Sequence, residues 1–115
     1  MRKSDKKLDN AIRNALIDVC EQAQRSFEGF QWLTHSVNYD NFPNSLKIIC
    51  VFNTDEHLAN LQQGDCGGEL RQLIKHHLAE SNVVLKDVNK QVLLDSEQAC
   101  TTTHNGKWAH KLAQY

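Results

Sequence analysis

Gly64-Asp65-Cys66-Gly67-Gly68 interrupts the middle of the chain, with a helix-forming run on each side of it. Before it, Thr54 offers a hydroxyl cap, Asp55 and Glu56 stand where the helix dipole favours acids, and Leu58 and Leu61 supply a short apolar edge. After it, Leu70, Leu73, Ile74, His77 and Leu78 recur at helical spacing over residues 69–80, and Ser81-Asn82 closes the run. A sharp bend between two packed helices at 64–68 fixes the order of everything around it.

Upstream, Leu8, Ile12, Ala15, Leu16, Val19, Ala23 and Phe27 form one stripe, which predicts an amphipathic helix over residues 5–27 capped by Ser4 or Asp5, with Gly29 just past its end. Residues 30–39 are rich in aromatic and β-branched side chains and predict a strand; Asp40-Asn41-Phe42-Pro43-Asn44 is a turn cluster. Leu46, Ile48, Cys50 and Phe52 then alternate with Lys47, Ile49 and Val51, a run apolar on both faces, as a central strand requires. Downstream, residues 83–88 and 91–94 are strand-like, joined through Asn89-Lys90, either a two-residue hairpin turn or a bulge inside one long strand. From about residue 96 the chain is a polar tail in which Trp108, Leu112 and Tyr115 suit one short terminal helix. The expected fold is α+β, order α-β-β-α-α-β, with a three- or four-stranded sheet, helices mainly on one face, and one domain over residues 1–115.

Composition narrows the function classes. Hydrophobic residues are 40% and charged residues 23% of 115, with five glycines and one proline, which excludes disordered, collagenous and low-complexity classes. Thirteen Lys and Arg against fourteen Asp and Glu give a net charge of −1, so the chain is no strongly basic nucleic-acid binder. The cations are uneven: residues 1–13 hold five against two acids, a local +3, while residues 53–69 hold four acids and neither Lys nor Arg. No apolar run follows the basic start and none approaches membrane length, so neither a secretory signal nor a membrane span is expected. Four cysteines without a C-x-x-C pair suit a reducing cytoplasm.

The chemistry-bearing motifs of hydrolases, P-loop proteins and dinucleotide enzymes are missing from the sequence, and Cys66-x4-Arg71 is one residue short of the phosphatase C-x5-R loop, so the chain reads as non-enzymatic. Cys100, His104 and His110 are spaced C-x3-H-x5-H, looser than structural zinc sites, and His76 and His77 point about 100° apart on a helix. Neither a metal nor a cofactor is expected.

Gly64-Asp65-Cys66-Gly67 is a G-x-x-G between two helices, and with its surrounding order it resembles type II KH domains, including ribosome-binding factor A; 88–95 is similar in pattern to the latter's final strand. That resemblance covers residues 5–94 and implies RNA or ribonucleoprotein as partner, through backbone N–H groups that approach the sugar-phosphate chain where side-chain bulk is missing. The candidate residues are Gly64, Gly67 and Gly68 for close approach, and Lys3, Lys6, Lys7, Arg71 and Lys75 for phosphate charge; Asp65 and Glu69 place negative charge beside them. Met1-Arg2-Lys3-Ser4-Asp5-Lys6-Lys7, Gly29-Phe30-Gln31-Trp32-Leu33-Thr34-His35 and His104-Asn105-Gly106-Lys107-Trp108 also resemble a small gammaproteobacterial family often labelled Fis-family transcriptional regulator, which implies a bacterial cytosolic protein. The label implies DNA binding, but a helix-turn-helix needs two adjacent helices, and Thr101-Thr102-Thr103 forms helix poorly, leaving room for one short helix. The accessory or regulatory role so expected has one alternative of another class: a protein partner or homodimer met through the Trp32/Phe42 hairpin or an exposed sheet edge.

Overall fold

Every second residue of the central run lies on the same side of a strand, and both sides of this one are dry: Ile48, Ile49, Cys50, Val51 and Phe52 are all buried. The computed structural model describes residues 3–64 and 66–115; Met1, Arg2, Asp65 and the side chains of Lys3, Ser4 and Cys66 fall outside that description. The chain forms α1 (Lys3–Ser26), β1 (Phe30–Ser36), a 3-10 turn (Tyr39–Asn41), β2 (Lys47–Phe52), α2 (Asp55–Gln63) and α3 (Cys66–Glu80). There follow a single helical turn, α4 (Val88–Gln91), then β3 (Val92–Ser96), α5 (Glu97–His104) and α6 (Trp108–Leu112). The α-β-β-α-α-β order and the α+β class hold.

Among the described residues the strands make one sheet, β1-β2-β3, antiparallel between β1 and β2 and parallel between β2 and β3. Parallel neighbours need a long crossover, which α2 and α3 provide. Thr54 caps α2 by accepting the His57 N–H at 3.1 Å, and Asn82, at φ 64, ends α3 in the left-handed region. The stripe of α1, namely Ile12, Leu16, Val19, Ala23 and Phe27, packs with Leu70, Ile74 and Leu78 of α3 over Ile48, Cys50 and Phe52.

Two expectations need correction. Residues 83–88 are not a strand, and Asn89-Lys90 is neither hairpin turn nor bulge: both lie in α4, capped by Asp87, whose carboxylate accepts the Lys90 N–H. Val83 and Leu85 are buried while Val84 is exposed, so the alternation reports burial correctly, but no ladder partner lies beside it among the described residues. The second correction concerns the tail from 96, which forms two helices instead of one. Ser96 caps α5 by accepting the Ala99 N–H at 3.0 Å, and Cys100 is buried beneath it, which together override weak propensity; Thr102 and Thr103 turn their hydroxyls back onto the carbonyls of Gln98 and Ala99.

Those two helices reach the second face of the sheet. Trp32 and Asp95 flank Val51 in register, and both meet the C-terminal segment: the rings of Trp32 and Trp108 pack edge to face at 4.9 Å, and Lys111 lies 3.4 Å from Asp95. The larger helices thus cover one face and α6 covers the other.

Candidate nucleic-acid interface

The bend expected at 64–68 occurs at its start. α2 ends at Gln63, Gly64 is extended at φ −101, and α3 has begun by Cys66, so Gly67 and Gly68 lie in the first turn of α3. Backbone conformation does not demand glycine at these positions. A Cβ on Gly67 would stand 3.5 Å from the Leu61 carbonyl oxygen, ordinary contact, and one on Gly68 would meet nothing within 4 Å. Gly67 is buried and Gly68 exposed, so Gly68 is the glycine that leaves the start of the helix open to solvent.

Arg71, one turn further along, folds back over Gly67 and is half-buried; its Nε is shut off from solvent without a hydrogen-bond partner among the described residues. Its charge also reaches Cys50, where burial pushes the thiol up to about 12 and the nearby guanidinium works weakly against that shift. Lys75 follows at the next turn of the same face and is exposed.

The N-terminal lysines are elsewhere. Lys7, Leu8 and Ala11 border Ser81, just past the C-terminal end of α3, while Gln22, about 21 Å along α1, meets His77 only about 6 Å back along α3, so the two helices cross obliquely with the start of α1 at the end of α3. Fourteen helical residues separate Gly67 from Ser81, a distance of about 21 Å. Lys6 and Lys7 are exposed at that far end, and Lys3 lies a turn further out with its side chain outside the described residues. The structure gathers Gly64, Gly67, Gly68 and Arg71 at one end of α3, sets Lys75 about 12 Å along it from Gly67, and leaves Lys3, Lys6 and Lys7 at the far end. Asp65, the acid between the glycines, lies outside the described residues.

Several polar clusters were not signalled by the sequence because they join distant positions. Glu97 accepts from the indole N–H of Trp32 at 2.6 Å and of Trp108 at 2.8 Å, and Asp95, itself buried, accepts from the Tyr115 hydroxyl and pairs with Lys111. His57 packs its ring where Gly29 would carry a Cβ, 2.5 Å from the nearest ring atom, and Gly29 has φ +83. The same ring lies 2.6 Å from Asn53 Oδ1 and 3.4 Å from Glu28.

On the other flank, Tyr39 donates to Asp9 at 2.6 Å and His35 lies 3.1 Å from the same oxygen; these bonds hold Asp9 below the ordinary carboxylate range. Cys20 shares a groove with His35, but the Asp9 that holds this histidine stands eleven residues back along α1, about 16 Å, so the three form no catalytic triad. Burial raises the Cys20 thiol instead of activating it. Cys100 is buried in α5, and no group of three metal-ligating side chains gathers among the described residues. No described helix is long and apolar enough to cross a membrane.

Comparison with known proteins finds no matching family model, no matching curated protein and no matching solved structure.

Proposed function

We propose that this chain is a non-enzymatic cytoplasmic accessory or regulatory protein that binds RNA, free or within a ribonucleoprotein, at the turn between α2 and α3. The observation that carries the reading is the half-buried Arg71 folded over Gly67, its Nε without a partner among the described residues, beside an exposed helix start at Gly68. The Nε itself is closed to solvent, so a phosphate would meet the terminal nitrogens of this half-buried guanidinium, and the two-helix crossover with a bend at Gly64 is the order that type II KH domains would share. The DNA-reading alternative is less favoured: α6 has five residues, and Trp108 and Lys111 are already engaged with Glu97 and Asp95.

With Arg71 and Lys75 as the phosphate contacts, affinity for single-stranded RNA should be modest and fall about sevenfold between 50 and 200 mM salt, a log–log slope of about −1.4. Filter binding checks this. Gly68→Glu, at an exposed position where an added Cβ meets no protein atom within 4 Å, should fold normally and weaken binding, as should Lys75→Gln. No binding at micromolar protein, or binding indifferent to salt and to both substitutions, overturns the reading.

A further inference from the structure

Along α1, the row of residues four apart reads Asp9, Arg13, Ile17, Glu21, Arg25; Asp9 is half-buried and held by Tyr39 and His35, and the other four are exposed. Ile17 is 54% exposed, one of three large apolar side chains so exposed among the described residues, and Arg13, Glu21 and Arg25 beside it are exposed too. A groove of about 310 Å³ opens next to it, lined by Leu16, Cys20 and Leu33 with Arg13, Thr34 and His35. Turned end for end about Ile17, the row is its own electrostatic complement: Arg13 meets Glu21, and Asp9 meets Arg25. Laid parallel instead, it sets like charges opposite each other.

We propose that α1 is a self-association surface, occupied by α1 of a second copy of this chain in a two-fold antiparallel pair centred on Ile17. Two such surfaces are identical, and a two-fold contact requires self-complementarity of this kind. When the i±4 rows of two helices interdigitate, the rows stay aligned at the crossing even though the axes cross at about −50°, so the Arg13–Glu21 pairs about 6 Å from the centre remain in register, while Asp9 and Arg25, about 80° round the helix from Ile17, stand at the margin of the contact. Ile17 of each copy then enters the groove of the other.

The neighbouring edge of β1 is the competing surface, and α1 already occupies part of it. Gln24 donates to the Gln31 carbonyl at 2.8 Å, and Cys20 and Leu33 line one groove. Trp32 and Phe42 are no freer, since Trp32 is held by Glu97 and Trp108, and Phe42 stacks on Tyr39 and packs against the core. Pairs within one helix, Asp9 with Arg13 and Glu21 with Arg25, account for the charges but not for the isoleucine at their centre. One helix pair is a small interface, so the dimer belongs to the weak, concentration-dependent class.

Sedimentation equilibrium across micromolar to millimolar protein tests the proposal, with circular dichroism confirming each fold. The wild type should dimerise, less strongly at high salt, and Ile17→Lys should abolish the dimer. Arg13→Glu should weaken it at least tenfold, and adding Glu21→Arg should restore it. The double variant places like charges four apart within each helix, so recovery cannot come from a more stable α1. A wild type monomeric throughout overturns the proposal, as does a dimer indifferent to Ile17→Lys or a double variant no stronger than Arg13→Glu.

Discussion

The two faces of the sheet are sealed by different physics. Beneath α1 and α3, Ile48, Cys50 and Phe52 meet Ile12, Val19, Ile74 and Leu78, apolar against apolar, with stability spread over many small contacts. On the second face Ile49 and Val51 are equally dry, but the C-terminal segment that meets the sheet on either side of Val51 is held by a few directed bonds: two indoles on Glu97, a tyrosine and a lysine on Asp95. Non-directional burial repeats with the helix period and can be read from a sequence. Directed bonds between Trp32 and Glu97, sixty-five positions apart, leave no such period.

That contrast can be broken most severely from the first face. Ile74→Ala empties a fully buried site and should cost about 2–5 kcal/mol in denaturant melts, lowering the midpoint for the whole molecule. A loss below about 1 kcal/mol would mean that this face is not the main core.

The second face should respond less and report differently. Glu97→Ala strands two indole N–H groups and should cost about 1–3 kcal/mol. Both tryptophans of the chain, Trp32 and Trp108, meet here, so intrinsic emission reads this face alone, and it should shift to the red in the variant before global unfolding. A variant with unchanged emission would show that packing, not Glu97, holds α6.

The smallest effect sharpens the comparison at the rim of the first face. Tyr39 and His35 lower the folded-state pKa of Asp9 below 3.8, so its contribution to stability is present above that value and is lost as pH falls through the folded pKa. Asp9→Asn should therefore flatten the acid limb of a stability–pH profile below about pH 4. An acid limb with the wild-type slope would place the sensitivity elsewhere.

Much of the first face was legible. The stripe from Leu8 to Phe27 gave α1, the two-sided apolar run gave β2, and Thr54 marked the start of α2 to the residue. The run at 91–94 does enter β3 at Val92, whereas 83–88 was misread as strand because Val83 and Leu85 alternate in burial while packing at the end of the core without a ladder among the described residues. The tail was underread because Thr101-Thr102-Thr103 has weak helix propensity, and what overrides it is the Ser96 cap together with burial of Cys100. Of the candidate site, the bend at Gly64 was legible in local chemistry. The separation of Lys3, Lys6 and Lys7 from it was not, because it follows from the start of α1 packing at the C-terminal end of α3, a tertiary fact.

The turn that carries α1 into β1 is policed from a distance. Gly29 cannot acquire a side chain while an imidazole fills the space beside it, and His57 can sit there only because that space is left open. In any descendant of this chain the two letters are a single heritable choice: a change at 29 can be tolerated only after 57 has shrunk, and even then the left-handed backbone narrows what may arrive.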